Sequence, residues 1–265
     1  MRGRVLIIAG SDSSGGAGIQ ADIKSVTALG GYAMTAITAL TVQNTLGVFD
    51  VHPTPTAIIE AQARVVLEDI GADAIKTGML GTAEVVEAVA RILDSAPGVP
   101  AVIDPVMTAK GGQRLLADDA AAAVHALLVP RAALVTPNAP EAEALTGLPV
   151  RNEEEMRAAG QALLARGAKA VLMKGGHLDG PVVVDLLLSA GVSRRFESRR
   201  VDTRHTHGTG CTLASACATG LAQGLKLEEA VGQAHAYTAE AIRRAPGFGA
   251  GHGPLDHAWP VRERD

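Results

Sequence analysis

The stretch "RVLIIAGSDSSGGAGIQAD", residues 4–22, decides the fold. A short apolar run is followed by a glycine-rich turn and then by residues that open a helix over 17–29, so the unit reads as strand, turn and helix. Its backbone amides could cradle an anion at the helix start. The glycines are not followed by the Gly-Lys-Ser/Thr of a P-loop. Gly16 to Ala21 fits the looser dinucleotide pattern GxGxxA, but the next strand ends in Gln43-Asn44, where that pattern needs an acid for the ribose.

The same rhythm runs outward from this unit. "YAMTAITALTV", helix 55–70, "ADAIKTG", helix 82–95 and "VPAVIDPV" fill the first half. Helix 118–129, "AALVTPN", helix 152–166, "AKAVLMKGG", a hairpin from "VVVDLLLSAG" to "RRFESRRV", and helices 209–223 and 227–243 fill the second. The region 32–52 reads as a strand with a short flap. Strand-helix alternation predicts an α/β fold with a mainly parallel sheet covered on both faces, in one domain over 1–265, since no linker or repeat divides the chain. Right-handed crossovers then bring the strands' C-terminal ends to one edge. Asp12, Gln43, Lys76, Asp104, Asn138 and Lys174 each end or follow an apolar run, so they gather at that edge.

Composition narrows the function classes. Of the 265 residues 47% are hydrophobic, 20% charged and 2% aromatic, with a net charge of −4, which suits a globular chain rather than a disordered one. The one basic cluster, residues 194–200, falls in the hairpin, so no nucleic-acid surface is expected. No apolar run approaches a membrane span, and the basic N-terminal start lacks a signal-peptide core, which leaves the cytoplasm as the expected compartment. Cys211 and Cys217 lie about 240° apart around a helix and cannot pair there. Cys217 has core spacing from Leu213 and Leu221. The eight histidines are scattered, and no zinc ligand set is present.

Cys211 is the sharper case. Gly208, Thr209 and Gly210 lead into a helix whose free amides and positive dipole end face the turn, a geometry that stabilises charge on a phosphoryl group in flight. The same helix start is expected to favour the thiolate of Cys211, which could then take a proton from an attacking alcohol. Asn138 and Glu141, three apart on a helix's first turn, can address one magnesium or can form a capping box. Lys174 beside two glycines suits polyphosphate but also suits solvent. Asp104 before Pro105 suits a metal or a nucleotide site, or simply an Asp-Pro turn.

Together "AGSDSSGGAGIQADIK", "TALTVQNT", "IKTGMLG", "VIDPVM", "TPNAPEAE", "MKGGH", "HGTGCTLASA" and "GHGPLDH" resemble the hydroxymethylpyrimidine/phosphomethylpyrimidine kinases of thiamin biosynthesis, within the ribokinase-like superfamily. The resemblance implies a three-layer α/β/α fold and two successive transfers from ATP, first to the hydroxymethyl group of an aminopyrimidine alcohol and then to its monophosphate. It places Cys211 where most of the superfamily has an aspartate base, with Gly208 to Gly210 as the anion hole. It implies Gln43 against the pyrimidine, with Asp12, Asp22, Met79 and Val106 in the same pocket. It implies Lys174, Asn138, Gly175 and Gly208 at the nucleotide, and Glu141, Asp104 and Asn138 at Mg2+. A homodimer would be ordinary for such a protein, with small molecules as the other partners. A pyridoxal or pyridoxine kinase shares the GTGC turn and is the alternative; Gln43 separates the two, because pyridoxal lacks an amino group beside a ring nitrogen.

Overall fold

The structure, a computed structural model, describes residues 3–108, 112–113 and 115–262. Residues 1 and 2, part of the basic N-terminal start, lie outside the described residues.

The apolar runs become a nine-stranded sheet ordered β3-β2-β1-β4-β5-β6-β7-β8-β9. Its parallel centre consists of β1 (Arg4–Asp12), β2 (Tyr32–Asn44), β4 (Ala74–Thr77), β5 (Ala101–Ile103), β6 (Leu134–Val135) and β7 (Ala170–Met173). Antiparallel strands close both sides: β3 (Gly47–Pro53) on β2, and the β8 (Val182–Ser189) and β9 (Val192–Arg199) hairpin on β7. The flap beyond β2 is thus a regular edge strand.

Alternate residues of β1 serve two cores. Leu6 and Ile8 face α2 (Thr56–Asp69), α3 (Ala83–Ser95), α4 (Asp118–Ala123), α5 (Ala139–Thr146) and α6 (Glu153–Ala165). Val5, Ile7 and Ala9 face α1 (Gly18–Ala28), α7 (Thr209–Ala222) and α8 (Leu227–Arg243). A ninth short helix, α9 (Trp259–Arg262), ends the described chain. Each fully buried Ile or Leu contributes about 1.5–3 kcal/mol, which is why a continuous apolar run rather than an alternating one specifies these strands. The result is the three-layer arrangement that the alternation predicts.

One helix differs from expectation. The apolar pattern over 118–129 predicts a single helix, whereas α4 stops at Ala123 and continues as a wider π turn at Val124–Leu128 and a 3-10 turn at Val129–Arg131. Pro130 has no N–H to donate, and its ring clashes with the carbonyl four residues back. Three of the four arginines of the cluster 194–200 make contacts within the chain: Arg194 pairs with Glu228, Arg195 with Glu153 and Glu197, and Arg200 donates to three backbone carbonyls. Among the described residues no helix is long and apolar enough to cross a membrane.

Candidate active site

A cavity of about 1240 Å³ opens along the C-terminal edge of the parallel strands. The order reverses at β1, between β2 and β4, which is where open α/β sheets form a crevice. Asp12, Gln43, Met79 and Val106 line the cavity, as do Asp104, Asn138, Glu141 and Lys174. Gly208, Thr209, Gly210 and Cys211 lie on the wall with them.

The turn before α7 needs its glycine. Gly208 has φ +82°, and a Cβ there would fall 1.8 Å from the Gly16 carbonyl oxygen, so the two glycine-rich segments are locked against each other. Beyond it the first amides of α7 have no helical acceptor. Thr209 N reaches Thr206 O only at 3.4 Å.

Lys174 is the hub of the charged wall. Its Nζ donates to Asp104 Oδ1 at 2.9 Å and lies 3.4 Å from Glu141 Oε2. A Cβ on Gly210 would sit 3.1 Å from the same nitrogen, so the ammonium lies directly against the start of α7. Burial works against this ammonium, but the charges of Asp104 and Glu141 outweigh it and hold the lysine protonated. Thr136 Oγ1 also donates to Asp104 Oδ1, at 3.1 Å, while Asp104 Oδ2 is buried without a hydrogen-bond partner among the described residues. Asn138 and Glu141 form the complete capping box: Glu141 N donates to Asn138 Oδ1 at 2.9 Å and Asn138 N to Glu141 Oε2 at 2.7 Å. Burial pushes the Glu141 carboxyl up from its usual range.

No group of three or more His, Cys, Asp or Glu that could hold a metal by itself occurs among the described residues. Mg2+ commonly uses one or two carboxylates, several waters and substrate phosphates. The orphaned Asp104 Oδ2 and the adjacent Glu141 fit that mode.

Three expectations are corrected. Asp22 is not on the cavity wall: it is fully buried between α1 and α7, with both carboxylate oxygens 2.9 Å from Lys76 Nζ and Ser215 Oγ donating at 2.7 Å. Gly175 does not offer its amide to a nucleotide. Its N–H goes to Asp185 Oδ1 at 2.9 Å, a Cβ there would lie 2.0 Å from Val184 O, and Gly176 lines the cavity instead. The third is the state of Cys211. Part of its surface faces the cavity, yet burial pushes the thiol up to about 12. The Asp22 and Asp104 charges add to that effect, whereas Lys76 and the Gly18 amide oppose it without reversing it. A helix start alone does not keep this sulfur ionised.

Residues that the sequence left without a role complete the site. His207 lies between Asp12, at 2.8 Å, and Gln43, at 3.2 Å. The pairing register of β2 with β3 shifts between Val42 and Gln43, so that the Gln43 backbone pairs with Val48. Asp185, a carboxylate inside the apolar strand "VVVDLLLS", meets His235 of α8 at 3.0 Å, and both line the cavity. That carboxylate was a readable signal, since a buried acid needs partners. His207 carried none beyond its place before the GTGC turn.

A family model described as phosphomethylpyrimidine kinase matches residues 12–256. The hydroxymethylpyrimidine/phosphomethylpyrimidine kinase of Streptomyces coelicolor is 48% identical over 98% of this chain and 96% of its own length. The thiamine biosynthesis bifunctional protein of Geobacter sulfurreducens is 50% identical over 99% of the chain, which spans 54% of that longer protein. Among solved structures, an ADP complex of Bacillus subtilis pyridoxal kinase superposes with a TM-score of 0.92 at 36% identity, over 99% of both chains. The matched pyrimidine kinases are thus nearer in sequence than the pyridoxal kinase. The chain belongs to the phosphomethylpyrimidine kinase family and carries its hydroxymethylpyrimidine/phosphomethylpyrimidine kinase activity.

Proposed function

We propose that this one cavity, in a chain working as one kinase domain, performs both transfers, with the pyrimidine held at Gln43 and the ATP phosphates at Lys174. The observation that carries this assignment is the placement of Gly208 to Cys211 on the wall of a cavity that also holds Gln43 and Lys174. A pyrimidine at Gln43 meets an amide that offers a donor and an acceptor, with Met79 and Val106 as apolar cover. Lys174 supplies positive charge to a phosphoryl group moving past the unpaired amides of α7, where a loose transition state needs charge stabilisation more than a strong nucleophile. Asp104 and Glu141 would hold Mg2+, which when bound neutralises phosphate charge. Asn138 fixes Glu141 through the capping box and so sets where that carboxylate stands.

Cys211 accepts the hydroxyl proton in this reading. Burial favours its neutral thiol in the resting chain, so to act it must first lose that proton to solvent, a loss that Lys76 favours and that further positive charge in the filled site would complete. The chemistry fits a cytoplasmic enzyme of small molecules. The exposed apolar side chains Leu40, Val42 and Phe49 on β2 and β3 fit a face covered by a second copy of the chain.

The test is ATP consumption with Mg2+ and either the aminopyrimidine alcohol or pyridoxal, beside Cys211→Ala and Gln43→Ala. Two phosphates transferred to the pyrimidine, lost in Cys211→Ala and weakened through KM in Gln43→Ala, is the expected result. Turnover with pyridoxal alone would move the substrate and keep the chemistry; a fully active Cys211→Ala would remove the proton-acceptor role.

A further inference from the structure

Both oxygens of Asp12 are crowded with donors. Oδ1 accepts from Ser14 N at 2.8 Å and Ser14 Oγ at 2.7 Å, and Oδ2 accepts from Ala17 N at 2.8 Å and Gly16 N at 3.1 Å. A carboxyl receiving four such bonds is ionised and has no proton to lend. His207 Nε2, 2.8 Å from Oδ2, therefore carries the proton of their contact.

That fixes the next group. His207 Nε2 also lies 3.2 Å from the amide nitrogen Nε2 of Gln43, while Gln43 Oε1 lies 3.1 Å from Thr41 Oγ1, which itself reaches the Ser11 carbonyl at 2.8 Å. With the amide nitrogen toward the imidazole, two N–H groups face each other and the single Thr41 hydroxyl proton has two acceptors to serve. Turning the amide by 180° removes both conflicts, because amide orientation is settled by the hydrogen-bond network. The imidazole N–H is then shared between Asp12 and the Gln43 oxygen. The Gln43 nitrogen donates to Thr41, and the Thr41 hydroxyl donates to Ser11.

We propose that His207, held by Asp12, is a positioning residue that sets which way round the Gln43 amide lies, and so selects the heteroaromatic edge that the site accepts. The proposal rests on the reading of Gln43 as the residue that meets the pyrimidine. One amide N–H and one carbonyl lone pair remain for the ligand, in an order that cannot reverse. A 4-aminopyrimidine edge presents a ring-nitrogen acceptor beside an amine donor. Its 4-oxo analogue presents an N–H donor beside a carbonyl acceptor, the opposite order.

The experiment compares kcat and KM for the 4-amino and 4-oxo pyrimidine alcohols in the wild type, His207→Leu and His207→Gln. The wild type is expected to prefer the amino substrate by about 100-fold or more, as sites that leave buried polar groups unpaired by the wrong ligand do. In His207→Leu, KM for the amino substrate rises about 10-fold, kcat and KM for ATP change less than about threefold, and the preference falls below about 10-fold, because the amide turns freely. His207→Gln, which restores an N–H, recovers part of the preference. An unchanged preference in His207→Leu, or an equal loss on both substrates, overturns the proposal. In parallel, the Gln43 side-chain amide signals in a 15N spectrum, assigned with Gln43→Ala, should shift and exchange faster in His207→Leu. Unmoved signals also overturn the proposal. A wild type that phosphorylates neither pyrimidine refutes the reading of Gln43, and the amide spectrum still decides the positioning role.

Discussion

Replacing Lys76 by Met is the most demanding test of how this site is supported. Lys76 and Asp22 are both fully buried, joined at 2.9 Å through both carboxylate oxygens, and Ser215 Oγ is the other hydrogen-bond donor to Asp22 among the described residues. Burial raises the Asp22 carboxyl and lowers the Lys76 ammonium; the charge of Asp22, with smaller help from its hydrogen bond and from Cys211 and Asp104, more than restores the lysine. Met fills a similar volume but leaves a buried carboxylate with a single hydroxyl donor. Removing one partner of a buried pair costs about 3–5 kcal/mol. An unfolding entropy of about 2.1 cal/mol/K per residue over the 265 residues gives about 0.56 kcal/mol/K, so Tm should fall by about 5–9 °C. The double variant Lys76→Met with Asp22→Asn should recover most of that loss, because replacing both charges removes the unpaired ion. Scanning calorimetry of the two variants reads both numbers. A fall under about 2 °C, or a double variant no more stable than the single one, would refute the reasoning. A second readout is chemical: Lys76 is the strongest of the influences that lower the Cys211 thiol, so alkylation of Cys211 at fixed pH should slow in Lys76→Met.

Further outcomes follow from the same geometry. Gly208→Ala places a Cβ 1.8 Å from Gly16 O at φ +82°, and about 1–3 kcal/mol of strain should appear as a lower Tm together with a lower kcat. An unchanged kcat would mean that the turn is not part of the chemistry. Asn138→Ala removes the capping box of α5 and should cost about 1 kcal/mol in denaturant unfolding. A raised KM for ATP should accompany it, because Glu141 loses its anchor beside Lys174; stability loss with an unchanged KM would leave Asn138 a cap alone. For His235, burial disfavours the charged ring, but the hydrogen bond and charge of Asp185 outweigh it and raise its pKa above 6.5. The pair's contribution is therefore complete below pH 6.5 and is lost as pH rises through the higher folded value. Asp185→Asn should flatten that part of the stability profile between about pH 6 and 9, and an unaltered profile would sink the assignment.

Much of the architecture was legible because burial on both faces leaves a simple mark. Continuous runs such as "VLIIA" and "AVLM" can only be central strands of a covered sheet, and the glycine turns between strand and helix locate its C-terminal edge. Five of the six polar residues that end or follow those runs, Asp12, Gln43, Asp104, Asn138 and Lys174, therefore met in one cavity, whereas Lys76 turned inward to pair with Asp22. Depth along that edge was not legible. Asp12 and Asp22 are both acids of the same strand-turn-helix unit, yet Asp12 reaches the cavity while Asp22 points beneath it, toward Lys76 on the face covered by α1 and α7. Pairs such as Asp12 with His207 and Asp185 with His235 join residues 195 and 50 positions apart, so no local spacing announces them.

Cys211 shows why motif chemistry and site chemistry diverge. A helix start acts on a thiol through a field that falls off within the first turn, whereas burial acts through the loss of water from every side. The motif "GTGC" encodes the first effect completely. The second also involves Asp22 and Gly18 of α1, Lys76 of β4 and Asp104 at the end of β5, which are brought around the sulfur only by the fold. Two acids raise the thiol and one lysine with one amide lowers it, so the balance lies with the neutral form at rest. Any cation that neutralises Asp104 shifts that balance toward the thiolate. In the proposed mechanism the sulfur would be freed of its proton only when the charged wall is filled, and a sulfur kept protonated until then is shielded from adventitious oxidation, which proceeds through the thiolate.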